Sequence, residues 1–111
     1  MIVYLAGPHS TGDIGANVHS AIKMADVVVK MGATPYIPHL CHLWHLVSPK
    51  SYEFWLEYDR KFLALCDCVL RLPGESAGAD LEVAEAIATG KRVFYGMGEF
   101  INSCEVLNER T

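Results

Sequence analysis

Four short apolar runs, each closed by a proline or a glycine and each followed by a segment with helical spacing, set the tightest limit on how this chain can fold. Ile2-Val3-Tyr4-Leu5-Ala6 ends at Gly7-Pro8 and reads as a buried parallel strand. Asp13 is placed to cap a helix that reaches about Met31 and stops at Gly32, with Val18, Ile22, Ala25 and Val29 on one face. Thr34-Pro35-Tyr36-Ile37 reads as a second strand, near an edge because of its proline. Pro38 to Pro49 reads as a long connection rich in aromatic and histidine residues. Ser51 then opens a helix through about Cys66, carrying Phe54, Trp55, Tyr58 and Phe62. Cys68 to Leu72 is a third strand, Gly78 to Thr89 a helix ended by Gly90, Arg92 to Tyr95 a fourth strand, and Phe100 to Glu109 a last helix. The order βαβαβαβα predicts an α/β fold: a doubly wound parallel sheet of four to five strands with helices on both faces, in three layers. Ligands of such sheets sit beyond the carboxyl ends of the strands. Chemistry is therefore expected in the loops Gly7 to Asp13, Pro38 to Pro49, Pro73 to Gly78 and Gly96 to Glu99.

Composition narrows the function classes. The 111 residues suit a single domain over 1–111, and 51% hydrophobic with 20% charged content is globular. A net charge of −4 with no run of Lys or Arg argues against a nucleic-acid polymer as partner. The apolar runs are too short to span a bilayer, and the chain opens into a strand-like run rather than a leader, so a cytoplasmic location is expected. Cys66 and Cys68 are one residue apart and do not make a CxxC pair. Free thiols are expected at all four cysteines.

The segment Leu72-Pro73-Gly74-Glu75-Ser76-Ala77-Gly78-Ala79-Asp80-Leu81-Glu82 runs from a strand end through a loop of small residues into a helix. Gly78 permits close approach of a ligand, and the first helical N–H groups favour anions. Glu82 stands about one turn into that helix, where the positive helix start is expected to keep its carboxylate ionised, as a nucleophile requires. The bland alternative is a surface acid that complements the helix dipole. Asp59 is a second candidate carboxylate. Asp is a poor helix-interior residue, so either a function or an ion pair with Arg60 or Lys61 accounts for it. One attacking carboxylate and one that handles protons are the working parts of retaining glycosyl chemistry. The loop Gly7-Pro8-His9-Ser10-Thr11-Gly12-Asp13 can cradle sugar hydroxyls or phosphate, but it lacks the GxGxxG fingerprint and the lysine of a P-loop. His39, His42 and His45 recur every third residue. On a helix they would not share a face, and no HExxH or CxxC accompanies them. No metal or cofactor is called for. These rings, with Trp44, are expected to line a pocket or pack against its lid.

Taken together, Tyr4-Leu5-Ala6-Gly7-Pro8, the Asp59 to Asp67 spacing and Ser76-x-Gly78-x-x-x-Glu82-x-x-x-Ala86 resemble the nucleoside 2-deoxyribosyltransferase superfamily, and within it short phage and bacterial members related to deoxynucleoside 5′-monophosphate N-glycosidases. The resemblance covers nearly the whole chain. It implies a flavodoxin-like or Rossmann-like sheet and a nucleoside or nucleotide substrate. It also implies a homodimer or larger homo-oligomer with sites near the interface. By the resemblance Glu82 is the nucleophile, Asp59 orients the substrate or protonates the leaving base, and Tyr4 positions the nucleophile. Gly7, Pro8, His9, Ser10, Ser76 and Gly78 contact the sugar or its 5′ group. Three departures stand out. Ala84 replaces the signature's second glycine. The first loop lacks the arginine of the family's monophosphate hydrolases and carries Asp13, which leaves Ser10 and Thr11 as the groups able to reach a phosphate. The chain also lacks the long C-terminal segment of the classical transferases, which donates an Asn to the neighbouring subunit; Asn102 and Ser103 are the residues available in its place.

Three readings follow. The first is an enzyme of the N-glycosidic bond, transferase or hydrolase. The second is a nucleotide-binding or regulatory module that keeps the fold without turnover. The third is a relative of the phosphoribohydrolases that release cytokinin bases, whose PGGxGTxxE loop is only partly echoed by Pro73 to Gly78.

Overall fold

Strand parity decides which residues reach which layer. Successive side chains of β1 (Ile2–Ala6) point to opposite faces of the sheet, so Val3 and Leu5 enter one core and Tyr4 and Ala6 the other. The computed structural model describes the backbone of residues 1–110 and the side chains of residues 1–104. Its elements run β1, α1 (Ile14–Lys30), β2 (Thr34–Tyr36), a 3-10 turn (Pro38–Cys41), α2 (His42–Val47), α3 (Tyr52–Leu65), β3 (Cys68–Arg71), α4 (Ala77–Ala88), β4 (Arg92–Tyr95) and α5 (Met97–Arg110). The strands form one parallel sheet in the order β2-β1-β3-β4, with Tyr4 opposite Tyr36 on one side and Val69 on the other.

The first core joins Val3, Leu5 and Leu70 to Ala21, Ala25 and Val28 of α1 and to Phe100 and Cys104 of α5. The second joins Tyr4, Ala6 and Val69 to Leu63 of α3 and to Ala79, Val83 and Ala86 of α4. The architecture is thus a flavodoxin-like three-layer α/β sandwich with α1 and α5 on one face and α3 and α4 on the other. Because β1 is flanked by β2 and β3, the chain reverses its direction of winding there. A crevice opens at such a reversal, beyond the carboxyl ends of β1 and β3.

Local chemistry fixes the helix starts. Asp13, Ser51 and Ser76 each accept a hydrogen bond from the backbone N–H three residues on, at Ala16, Phe54 and Ala79, all at 3.1 Å. Each cap contributes about 1 kcal/mol. Behind the first strand, the Ile2 amide donates to Asp67 at 2.6 Å. Lys91 donates to the carbonyls of Ala64 and Cys66 at 3.2 and 2.7 Å, which closes the end of α3 against the start of β4. All four cysteines are unpaired.

Two segments differ from the sequence reading. Residues 38–49 are not an irregular connection: Pro38 occupies the first turn of the 3-10 segment, where its fixed φ suits a helical start, and α2 follows directly. The pattern is obscured because the apolar residues of α2 lie outside; Leu43 is 71% and Val47 88% exposed. The last helix begins at Met97 rather than Phe100. There Glu99 accepts a hydrogen bond from the Tyr95 amide and helps close the turn.

The two loops at the crevice interlock through their glycines. A side chain at Gly7 would bring its Cβ to 2.8 Å from Leu72 Cβ, and one at Gly74, whose φ is +108°, would meet Pro8 Cγ at 2.8 Å. Each loop therefore holds the other at backbone distance. Gly7→Val is expected to destabilise the fold by about 2 kcal/mol through overpacking against Leu72. Thermal unfolding followed by circular dichroism checks this, and an unchanged midpoint would show that the seam yields freely.

Candidate active site

Three side chains from three elements meet below the crevice. Tyr4 is fully buried on the α3/α4 face of β1, and its hydroxyl donates to Oε2 of Glu82 on α4. Burial, with the negative charges of Glu82 and Asp59 beside it, raises the Tyr4 pKa far above the usual phenol range. The hydroxyl therefore stays protonated and acts only as a donor. Its ring is braced in turn: Tyr36 of β2 lies 5.4 Å from it, and Phe62 of α3 stacks on Tyr36 at 4.8 Å and 10°.

Glu82 does not behave as a helix-start acid. Burial pushes its carboxyl up to about 7, against the Tyr4 hydrogen bond and the Arg71 charge, which lower it, and with Asp59 and Glu85 raising it further. The expectation that the helix start holds it ionised is corrected on this point: desolvation outweighs the dipole where the group is enclosed. Asp59 shares the condition. Arg60 pairs instead with Glu57 at 3.4 Å and Glu85 at 3.0 Å, and among the described residues Asp59 makes no ion pair. Its Oδ1 is buried without a partner, and burial pushes its carboxyl up to about 7. Two carboxyls poised near neutrality supply one group that can be ionised while the other holds a proton.

Both carboxyls line one cavity of about 480 Å³, a volume suited to a small-molecule ligand. Gly7, His9 and Ser10 of the first loop and Ser76 and Gly78 at the start of α4 line it too. Of the residues expected to contact the sugar or its 5′ group, Pro8 does not line it. Tyr4 acts from beneath, through Glu82. Pro8 turns away, where its carbonyl faces Nε2 of His39 at 3.0 Å and its ring lies against Gly74. Ser76 is partly committed as the cap of α4.

Other residues complete the wall. His39, His42 and His45 all face the cavity, whereas Trp44 packs edge-on against Phe54, Trp55 and Tyr58. Nδ1 of His45 accepts from the Trp55 indole at 2.8 Å and from the Lys50 amide at 3.2 Å. Among the described residues no three His, Cys, Asp or Glu side chains converge as metal ligands. Two positions escaped the sequence reading. Asn17 donates to the carbonyls of His9 and Thr11, both at 2.8 Å, and so sets the first loop. Arg71, mostly buried, reaches the Gly74 carbonyl at 2.9 Å and Asp80 at 3.1 Å, and so ties the third loop to α4. A polar residue following a glycine loop by one helical turn, and a lone Arg at a strand end, were the available signals.

Residues 1–96 match the family model described as Domain of unknown function (DUF7768). No curated protein matches. A solved structure of a 2-deoxyribosyltransferase from Bacillus psychrosaccharolyticus aligns with a TM-score of 0.63 and 22% identity, over 84% of this chain and 69% of that one. At that identity the likeness shows a shared fold. Among the described residues no helix is long and apolar enough to cross a membrane.

Proposed function

The chain belongs to the DUF7768 domain family, and from that premise we propose that it cleaves or transfers the N-glycosidic bond of a nucleoside or nucleoside 5′-monophosphate. The observation that carries the reading is the Tyr4 hydroxyl donating to Glu82 where Glu82 and Asp59 line the same cavity. The fold shared with a 2-deoxyribosyltransferase supports it. In the proposed reaction the ionised Glu82 oxygen attacks the anomeric carbon. The bond from that carbon to the base nitrogen breaks, and Asp59 delivers its proton to the departing base. A second base or water then attacks the same carbon, the carbon–oxygen bond to Glu82 breaks and frees its carboxylate, and Asp59 takes up the attacking group's proton. Tyr4 fixes one oxygen of Glu82 and leaves the other free for attack.

The test is incubation with a panel of deoxynucleosides, ribonucleosides and their monophosphates, with free base followed by chromatography. Free base without an acceptor indicates a hydrolase, and base exchange with an acceptor indicates a transferase. Binding without release by any member overturns the enzymatic reading in favour of a binding module.

The same proposal includes self-association beside the cavity. The inner face of α2 supplies His42 and His45 to the wall while its outer face exposes Leu43, Leu46 and Val47, an apolar patch that water covers poorly. Leu43→Glu combined with Val47→Glu is expected to convert a dimer to a monomer in sedimentation velocity. A wild-type chain that sediments as a monomer at tens of micromolar rules this part out.

A further inference from the structure

Arg71 closes β3 where the strand meets the third loop. Parity sends it to the same face as Val69, so it lies toward α3 and α4, beside Ala6 in the register and two residues on from the level of Tyr4. Its side chain is 13% exposed and does not line the cavity. One terminal nitrogen donates to the Leu72 carbonyl at 2.5 Å, and the other to the Gly74 carbonyl at 2.9 Å and to Oδ1 of Asp80 at 3.1 Å. The planar fork is thereby fixed in orientation, as an ammonium on a flexible stem would not be. A guanidinium is costly to take out of water unless its charge is answered. Asp80 answers it weakly, because its own side chain is 73% exposed. The other acid that α4 turns toward the sheet is Glu82, two residues further along and held by the Tyr4 hydroxyl.

We propose that Arg71 is a positioning residue of the reaction: clamped outside the cavity between the third loop and α4, its guanidinium is the fixed positive charge against which Glu82 becomes the attacking carboxylate. The inference rests on the functional reading above. The groups that bear on Glu82 come from four elements: Tyr4 of β1, Asp59 of α3, Arg71 of β3 and Glu85 of α4 itself. Burial raises the Glu82 pKa most, the Tyr4 bond and Arg71 lower it, and Asp59 and Glu85 raise it. Tyr4 lends a hydrogen bond without a charge, because burial keeps its phenol protonated. Arg71 alone of the four is a cation. On the cavity wall, the Lys50 ammonium donates to Ser48 at 3.1 Å and lies 5.6 Å from the Phe54 ring centre, and burial favours the neutral form of His9 and His39. His42 and His45 line the same wall from α2. The charge of Arg71 favours an ionised Glu82 before attack and again when the glycosyl-enzyme breaks and returns the carboxylate.

The experiment reads Glu82 first without a substrate. The intact chain is labelled with carbon-13 at its glutamate carboxyls, the Glu82 signal is identified by its loss in Glu82→Gln, and its titration is followed by NMR. Arg71→Met and Arg71→Gln, the second of which keeps donors for the loop carbonyls, are each expected to raise the Glu82 midpoint by about half a pH unit or more. Arg71→Lys, which keeps the charge and loses the fork, is expected to return most of that shift. Asp80→Asn still accepts from the guanidinium but carries no charge, so it is expected to move the midpoint the other way, downward. Base release is measured next. Arg71→Gln is expected to cost about threefold more at about pH 5, where ionisation of Glu82 limits the rate, than at about pH 9, where it does not. A clamp that serves structure alone would cost the same factor at both pH values and would fail in Arg71→Lys as fully as in Arg71→Gln. A Glu82 midpoint that stays in place in a folded variant without the charge overturns the inference alone, as does one that rises in Asp80→Asn. A midpoint that moves as expected in a chain that releases base from no nucleoside or nucleotide overturns the functional reading beneath it.

Discussion

Glu82→Gln is expected to lower base release by about a thousandfold or more while nucleoside binding changes by less than about threefold. The substitution keeps size and keeps the Tyr4 bond, because the amide carbonyl still accepts from the phenol. It removes the one property the reaction needs, an ionised oxygen able to form a bond to carbon. Pre-steady-state measurement sharpens the test. The wild type is expected to release one equivalent of base per site in a burst when deglycosylation is slow, and the Gln variant to show no burst. A variant that retains a tenth of the wild-type rate would remove Glu82 from the chemistry.

The same placement predicts how rate depends on pH. Attack needs Glu82 ionised, so activity rises as pH climbs through about 7. Departure of the base needs Asp59 protonated, so activity falls as pH climbs past about 7. The two carboxyls share one cavity and each feels the other, so the flanks of the bell belong to the pair.

Much of this arrangement is legible in the sequence because it follows from parity and punctuation. An apolar run ended by Gly7-Pro8 gives a buried strand, and alternation along it sends Tyr4 to the face opposite Val3 and Leu5. Glu82 lies six residues after a serine cap, so α4 presents it toward the same face. What is not legible depends on enclosure. A helix-start glutamate reads as ionised until the third dimension shows that its surroundings exclude water. The α2 segment reads as a loop because its apolar residues face outward, which breaks the link between hydrophobicity and burial on which periodicity relies. Pro8 reads as a ligand contact by proximity to Gly7, yet the turn directs it to Gly74. The roles of Asn17 and Arg71 rest on contacts to backbone carbonyls, to which only their places after a glycine loop and at a strand end point.

Asp59→Asn is expected to separate catalysis from stability in opposite directions. As the group that protonates the departing base, Asp59 should account for about a hundredfold in rate. The loss should shrink for a substrate whose base leaves readily without a proton, since the acid is then not required. Stability moves the other way. The folded-state pKa of Asp59 is raised to about 7 by burial, above the unfolded value of about 4. A group raised in this way favours the fold below its unfolded pKa, and that contribution is lost as pH rises through its folded pKa. Above about pH 7 the wild type must therefore keep a buried carboxylate ionised, with Oδ1 unpartnered and no ion pair among the described residues. Asparagine occupies the same volume without the charge. The variant is expected to match the wild type near pH 5 and to exceed it by about 2 kcal/mol near pH 8, a figure discounted for the solvent that reaches the cavity. Urea unfolding at the two pH values measures the difference directly. A variant less stable than the wild type at the higher pH would mean that the ionised Asp59 is held by a favourable partner, and its assignment as a proton-holding acid would fail with it.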